Sequence, residues 1–205
     1  MKTTDAPSLL AEYAELDCIS NFSFLKGAAH PEALVARAAH LGYQALALSD
    51  ECSLAGVVRA HTEAKKQQLK LIIGSRFLIE GMEIIVLARN KKGYGDLSEF
   101  ITLARRRSEK GQYQLSLRDI TDPPAGSEHL KNLPDCLAIF KPGYDPDPAE
   151  LHRQLSRLLP AFPGRLWLGL TLHHHHADSR HQATLAQAAQ RFGIRLTAAG
   201  QAEMD

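Results

Sequence analysis

The sequence predicts an α/β fold: a distorted β/α barrel of about seven mostly parallel strands with helices outside. Three observations predict it. Short apolar runs alternate with helical stretches along most of the chain, the pattern of parallel strands covered by helices. No Gly-rich phosphate loop follows any strand, which favours a barrel of β/α units over an open sheet. The 205 residues, 44% hydrophobic and 23% charged, suffice for one sizeable core, so residues 1–205 are read as a single domain.

The elements follow in order. Tyr13 to Ile19 reads as the first strand. Pro31 opens a helix that ends at Leu41 before Gly42, with Leu34, Ala38 and Leu41 at helical spacing. Gln44 to Ser49 is a short apolar strand, and Leu54 to Gln67 a second helix. Leu69 to Ile79 reads as strand interrupted at Gly74. Met82 to Ala88 carries the strongest strand signal in the chain. Gly95 to Arg107 is a helix whose basic end suits the helix dipole. Periodicity fades from Ser108 to Pro134, which reads as loops with short elements. Cys136 to Lys141 is a strand, Pro148 to Leu159 a helix, Arg165 to Leu172 a strand, Ser179 to Phe192 a helix, and Arg195 to Ala199 the last strand.

Composition excludes several classes. Twenty-four basic and 23 acidic residues leave a formal net charge of +1, so no global field draws the chain to nucleic acid or to an anionic membrane. Cys18, Cys52 and Cys136 are few and far apart, which argues against a zinc knuckle or a disulfide framework and for a reducing cytoplasm. No apolar run has signal-peptide or membrane-span length. The chain stops at Met204-Asp205 without a polar tail, which reads as a fragment of something longer, with a final strand and helix of the barrel expected beyond it.

Three segments carry a family signature. They are Tyr13-Ala-Glu-Leu-Asp-Cys-Ile-Ser-Asn-Phe-Ser-Phe-Leu25, Ala45-Leu-Ala-Leu-Ser-Asp-Glu-Cys-Ser-Leu-Ala-Gly56, and Leu71-Ile-Ile-Gly-Ser-Arg76 followed by Ile85-Val-Leu-Ala-Arg-Asn-Lys-Lys-Gly-Tyr94. Together they resemble the PHP (polymerase and histidinol phosphatase) domain at the start of bacterial C-family DNA polymerases. Ser20-Asn-Phe-Ser-Phe-Leu25 and Asp50-Glu-Cys-Ser-Leu-Ala-Gly56 resemble most the error-prone, ImuC-type branch. The resemblance covers nearly the whole chain, and its motifs recur in order.

The resemblance implies a site and its loss. Metal-binding members hold three divalent ions with His, Asp and Glu at the carboxyl ends of barrel strands, which would activate a water against a phosphoester. Here the implied His-x-His motif holds Asp17 and Ile19, and isoleucine has no lone pair to donate. The implied Asp-His reads Asp50-Glu51. The implied glutamate after Ile-Ile-Gly is Arg76, a cation where a metal needs an anion. The implied histidine of the fourth strand is Glu83, and the last Asp-x-His is Gln201 and Glu203. The expectation is an arginine–carboxylate network in place of metals, with Asp50 pairing with Arg76. A magnesium-like site built from the remaining carboxylates is the alternative.

His173 to His176 is either a solvated loop or a transition-metal site. Arg105, Arg106, Arg107 and Lys110 are either a solvated helix end or a basic patch for phosphate. No aromatic residues interleave with them, which argues against stacking on single strands. A reactive thiol at Cys52 is disfavoured by its acidic neighbours. Phe22 and Phe24 read as core or interdomain packing. The resemblance thus implies a non-catalytic domain of a translesion polymerase, acting as scaffold and interaction platform. It implies no cofactor in this fragment and magnesium in the parent enzyme. The implied partners are the remaining polymerase domains, other mutasome proteins, and DNA through the full-length protein; no membrane is implied. The alternative is a metal-dependent phosphoesterase or 3′–5′ exonuclease.

Overall fold

The computed structural model describes residues 13–200 and residue 202. One curled sheet of seven strands follows the order of the sequence. β1 (Ala14–Cys18), β2 (Ala45–Leu48) and β3 (Lys70–Ile79) run parallel. β4 (Met82–Ala88) is antiparallel to both β3 and β5 (Cys136–Lys141), while β6 (Leu166–Leu170) and β7 (Arg195–Ala198) continue parallel to β5. The reversal has a local cause. Only Glu80 and Gly81 join β3 to β4, both at positive φ, and two residues can close a hairpin but cannot make a crossover.

Helices supply the other connections. They are α1 (Pro31–His40), α2 (Val57–Gln67), α3 (Lys91–Arg106), α4 (Arg118–Thr121), α5 (Pro148–Leu158) and α6 (Asp178–Phe192). Asp147 caps α5 by accepting from the Glu150 N–H, and Gly193 ends α6 in the left-handed region.

Strand alternation sorts the side chains into layers. Leu46 and Leu48 of β2 pack outward with α1 and α2, whereas Ala47 faces inward. On β4, Ile84 and Val86 join the outer core, while Ile85 and Leu87 join Ile139 in an inner cluster with Leu16, Ile72 and Trp167. The same parity points Arg76, Glu83 and Lys141 inward, since Arg76 pairs with Ile85 and Glu83 with Lys141 across the sheet.

Two sequence expectations change. β3 runs unbroken through Gly74, where a β-carbon would come within 2.5 Å of Leu87, so this glycine permits close strand packing and does not break the strand. α3 begins before the predicted Gly95, because the Asn90 side chain accepts from the Gly93 N–H and caps it. The two edges of the sheet meet. Ile19 donates to the Ala202 carbonyl and Ala202 donates to that of Asp17, so residues past β7 reach the end of β1. No helix among the described residues is long and apolar enough to cross a membrane.

Candidate functional site

The carboxyl ends of the parallel strands gather the residues singled out from the sequence. A bulge aims the first of them. Between the pairs Glu15–Leu46 and Cys18–Leu48, β1 carries two residues where β2 carries one. Bulges of this kind re-aim side chains. Asp17 is thereby fully buried, 0% exposed, at the mouth of the barrel.

Four ionisable groups meet there. The Asp17 carboxylate accepts from the Arg76 guanidinium on one oxygen and from the Lys141 ammonium on the other. Glu83 lies 3.2 Å from Arg76 and 3.5 Å from Lys141. The Ser49 hydroxyl adds a longer contact to Asp17, at 3.3 Å. Arg76 and Lys141 are both buried. Gly169 leaves room for Lys141, since a β-carbon there would lie 3.1 Å from the lysine side chain. Lys141 was not among the residues predicted for the site. At the end of an apolar strand it reads as a solvated terminus; its only sequence signal is that it shares the inward parity of Leu137 and Ile139.

Asp50 is buried too, but not against Arg76. The expected Asp50–Arg76 side-chain pair is replaced by a backbone bond from the Arg76 N–H to the Asp50 carbonyl. Arg76 turns instead to Asp17, which the bulge brings inward. The Asp50 carboxylate accepts from the Ser20 N–H (2.8 Å), the Ser20 hydroxyl (2.8 Å) and the Ser23 hydroxyl (2.7 Å). Ile19 is buried beside it, 1% exposed. Gln201 and Glu203 lie outside the described residues.

Glu51 ties down the same loop. It pairs with Lys26 at 2.5 Å and accepts from the Tyr113 hydroxyl at 3.0 Å. Burial acts to raise its carboxyl, but these hydrogen bonds and the Lys26 and Arg76 charges outweigh it and hold the group below the usual carboxylate range. The sign follows. A depressed folded value adds stability that is present above the ordinary glutamate value of about 4.3 and is lost as the pH falls through the folded value. Glu51→Gln is expected to lose less stability than the parent chain between neutral pH and about pH 3, measured as urea midpoints. Equal acid losses in the two proteins would show that Glu51 makes no such contribution.

The remaining candidates separate. Arg105 donates to the Glu51, Cys52 and Gln112 carbonyls and lies over the Tyr113 ring. Arg107 pairs with Asp119 at 2.5 Å. Of the predicted basic patch, Arg106 and Lys110 are exposed with Arg107, while Arg105 is taken up by the protein's own backbone. Cys52 is buried, and burial pushes its thiol up to about 11 against the pull of Arg105. His173 to His176 form an exposed turn whose His173 and His175 N–H groups donate to Asp178. Phe24 is 85% exposed and so is not core within this chain.

A pocket of about 290 Å³ opens over the network, lined in part by Glu83, Lys141, Tyr144, Thr171, His173 and His181. Among the described residues the donor set does not fit a divalent metal. Two cationic groups already lie against the carboxylates that an ion would need, and a third positive centre there meets like charge. Among the described residues, no three His, Cys, Asp or Glu side chains come together as a ligand set.

Known proteins share this fold and sequence. A Bifidobacterium adolescentis protein described as a metal-dependent phosphoesterase superimposes with a TM-score of 0.64 at 13% identity, covering 95% of this chain and 88% of its own. An amidohydrolase from Chromobacterium violaceum, with bound sulfate and no metal, gives 0.65 at 16% identity, covering 93% and 87%. Such low identity speaks for the fold alone. Sequence similarity reaches further. A Bordetella parapertussis protein named error-prone DNA polymerase is 51% identical over 203 residues, covering 96% of this chain and 19% of that protein. Proteins of the same name from Ralstonia nicotianae and Dechloromonas aromatica are 47% and 50% identical, over 98% and 95% of this chain. The chain spans about a fifth of the length of these relatives. The family pattern of the PHP domain matches residues 15–138, the stretch from β1 into β5 that holds Asp17, Arg76 and Glu83 of the ion network, and the chain belongs to that family.

Proposed function

We propose that this chain is the non-catalytic PHP domain of an error-prone DNA polymerase that acts in damage-induced translesion synthesis. The domain serves as a structural scaffold and interaction platform for the polymerase. One observation carries the absence of chemistry: Arg76 and Lys141 fill the space between Asp17 and Glu83. A metal-activated water would meet two cations there, and among the described residues no three His, Cys, Asp or Glu side chains gather to hold a metal. The relatives' name and their length beyond the matched stretch support the polymerase assignment. In this reading the domain's partners are the remaining polymerase domains and other mutasome proteins. DNA is engaged by the full-length protein, which uses magnesium for nucleotidyl transfer in the cytoplasm.

Metal content tests the chemical half. The 205-residue chain, with His173 to His176 replaced by alanine, is stripped with EDTA and dialysed against manganese, zinc and magnesium. Near-zero tightly held metal is expected. Two or more ions per chain, with phosphodiester hydrolysis, would establish the alternative of a rebuilt carboxylate centre. Arg76→Glu and Ile19→His, made singly, are each expected to leave hydrolysis absent, because several ligands are missing together. Primer extension across a damaged template by the full-length protein tests the other half.

A further inference from the structure

We infer that the tip of the loop after β1, Phe24 and Leu25, is the surface on which the polypeptide following residue 205 packs in the intact polymerase. This rests on the reading of the chain as one domain of that larger protein. Phe24 and Leu25 are adjacent and 85% and 90% exposed, with Phe22 half-exposed beside them. Scattered apolar residues on a surface are ordinary, but a contiguous group at a loop tip marks a contact. Leu25 also holds a φ of 62°, in the left-handed region that favours glycine. Such a conformation persists only where the surroundings impose it.

The surroundings do impose it. Asp50 binds Ser20 and Ser23. The Glu51 N–H donates to the Ser23 hydroxyl, and the Glu51 carboxylate holds Lys26. The Lys26 and Gly27 N–H groups both donate to the Ser23 carbonyl. Gly27 packs so closely that a β-carbon there would come within 2.1 Å of the Ser20 carbonyl oxygen. Two carboxylates at former metal-ligand positions therefore fix a loop from both sides, and the loop holds two large apolar side chains out in water. Burying them against a partner recovers the hydrophobic contribution that this domain alone leaves unused.

The occupant follows from where the chain leads. Ala202 accepts from the Ile19 N–H, and Ile19 directly precedes Ser20, where the loop begins. The relatives are about five times as long as the stretch matched here. Polypeptide continuing from Ala202 thus sets out beside the loop, so a contact with it needs no second chain.

Photo-cross-linking in the full-length protein tests this. Phe24→p-benzoylphenylalanine keeps an aromatic at an exposed position, so folding is not at stake. After irradiation and digestion, cross-linked peptides are expected to map beyond residue 205 of the same chain. Phe24→Ser combined with Leu25→Ser is expected to speed proteolytic cutting between this domain and the remainder by roughly tenfold, as an opened interface exposes it. Cross-links confined to residues 1–205, made to a second copy or to another protein, or absent altogether, would overturn the inference. Primer extension on the same sample separates the two readings. An active polymerase without the cross-link sinks the docking surface alone; a cross-link beyond residue 205 in a protein with no polymerase activity sinks the polymerase reading alone.

Discussion

Asp17→Ala is expected to be the most damaging single substitution at the barrel mouth, lowering stability by about 3–5 kcal/mol. Asp17 is 0% exposed and accepts from both Arg76 and Lys141. Its removal takes away the buried carboxylate that both cations share, while Glu83, one-third exposed, sits farther off at 3.2 and 3.5 Å. The loss therefore reflects weaker compensation of buried positive charge more than the net worth of the pairs. For a chain of this size each kcal/mol moves the thermal midpoint by about 2–4 °C, so a drop of roughly 6–20 °C is expected. Asp17→Asn keeps the shape and loses the charge, and should reproduce most of the effect. A midpoint within about 2 °C of the parent for both variants would mean that the network contributes little. The double variant Asp17→Ala with Arg76→Ala should be less damaging than the sum of the singles, since each removes part of the other's cost.

Asp50→Ala is expected to cost about 2–4 kcal/mol, for a different reason and with a local signature. Three donors converge on this carboxylate: one backbone N–H and two serine hydroxyls. Hydrogen bonds to a charged acceptor contribute about 1.5–3 kcal/mol each, and the three here do not add in full because they share one carboxylate. Since the Arg76 side chain is held by Asp17 and Glu83, the ion network should survive the change. The loss should instead appear as faster amide exchange over residues 20–27, with little change at β3 to β5. Uniform loss of protection across the barrel would contradict this local account. Combining Asp50→Ala with Asp17→Ala should give nearly additive losses, because the two carboxylates serve separate sets of partners.

The two carboxylates have thus taken different structural work. Asp17 neutralises cations inside the barrel, and Asp50 with Glu51 shapes the loop outside it. Buried carboxylates need partners, and these hydrogen bonds and ion pairs supply them.

Strand and helix identity were legible in the sequence because they depend on local pattern. β4 and β5 match their predicted spans, since an apolar run bounded by turn residues is enough to define a strand. The motif positions were legible as well, among them Ile19 and Arg76, an aliphatic chain and a cation that offer a metal no ligand. Which charge meets which was not. That depends on one extra residue in β1, which turns Asp17 inward, and on the inward parity of Lys141, more than a hundred residues away in sequence. The fold class was legible in the sequence because propensity and periodicity act at short range. The pairing of Arg76 with Asp17 and not Asp50 came from register and bulge geometry, which set the direction of a side chain, and a buried charge takes the partner that direction brings within reach.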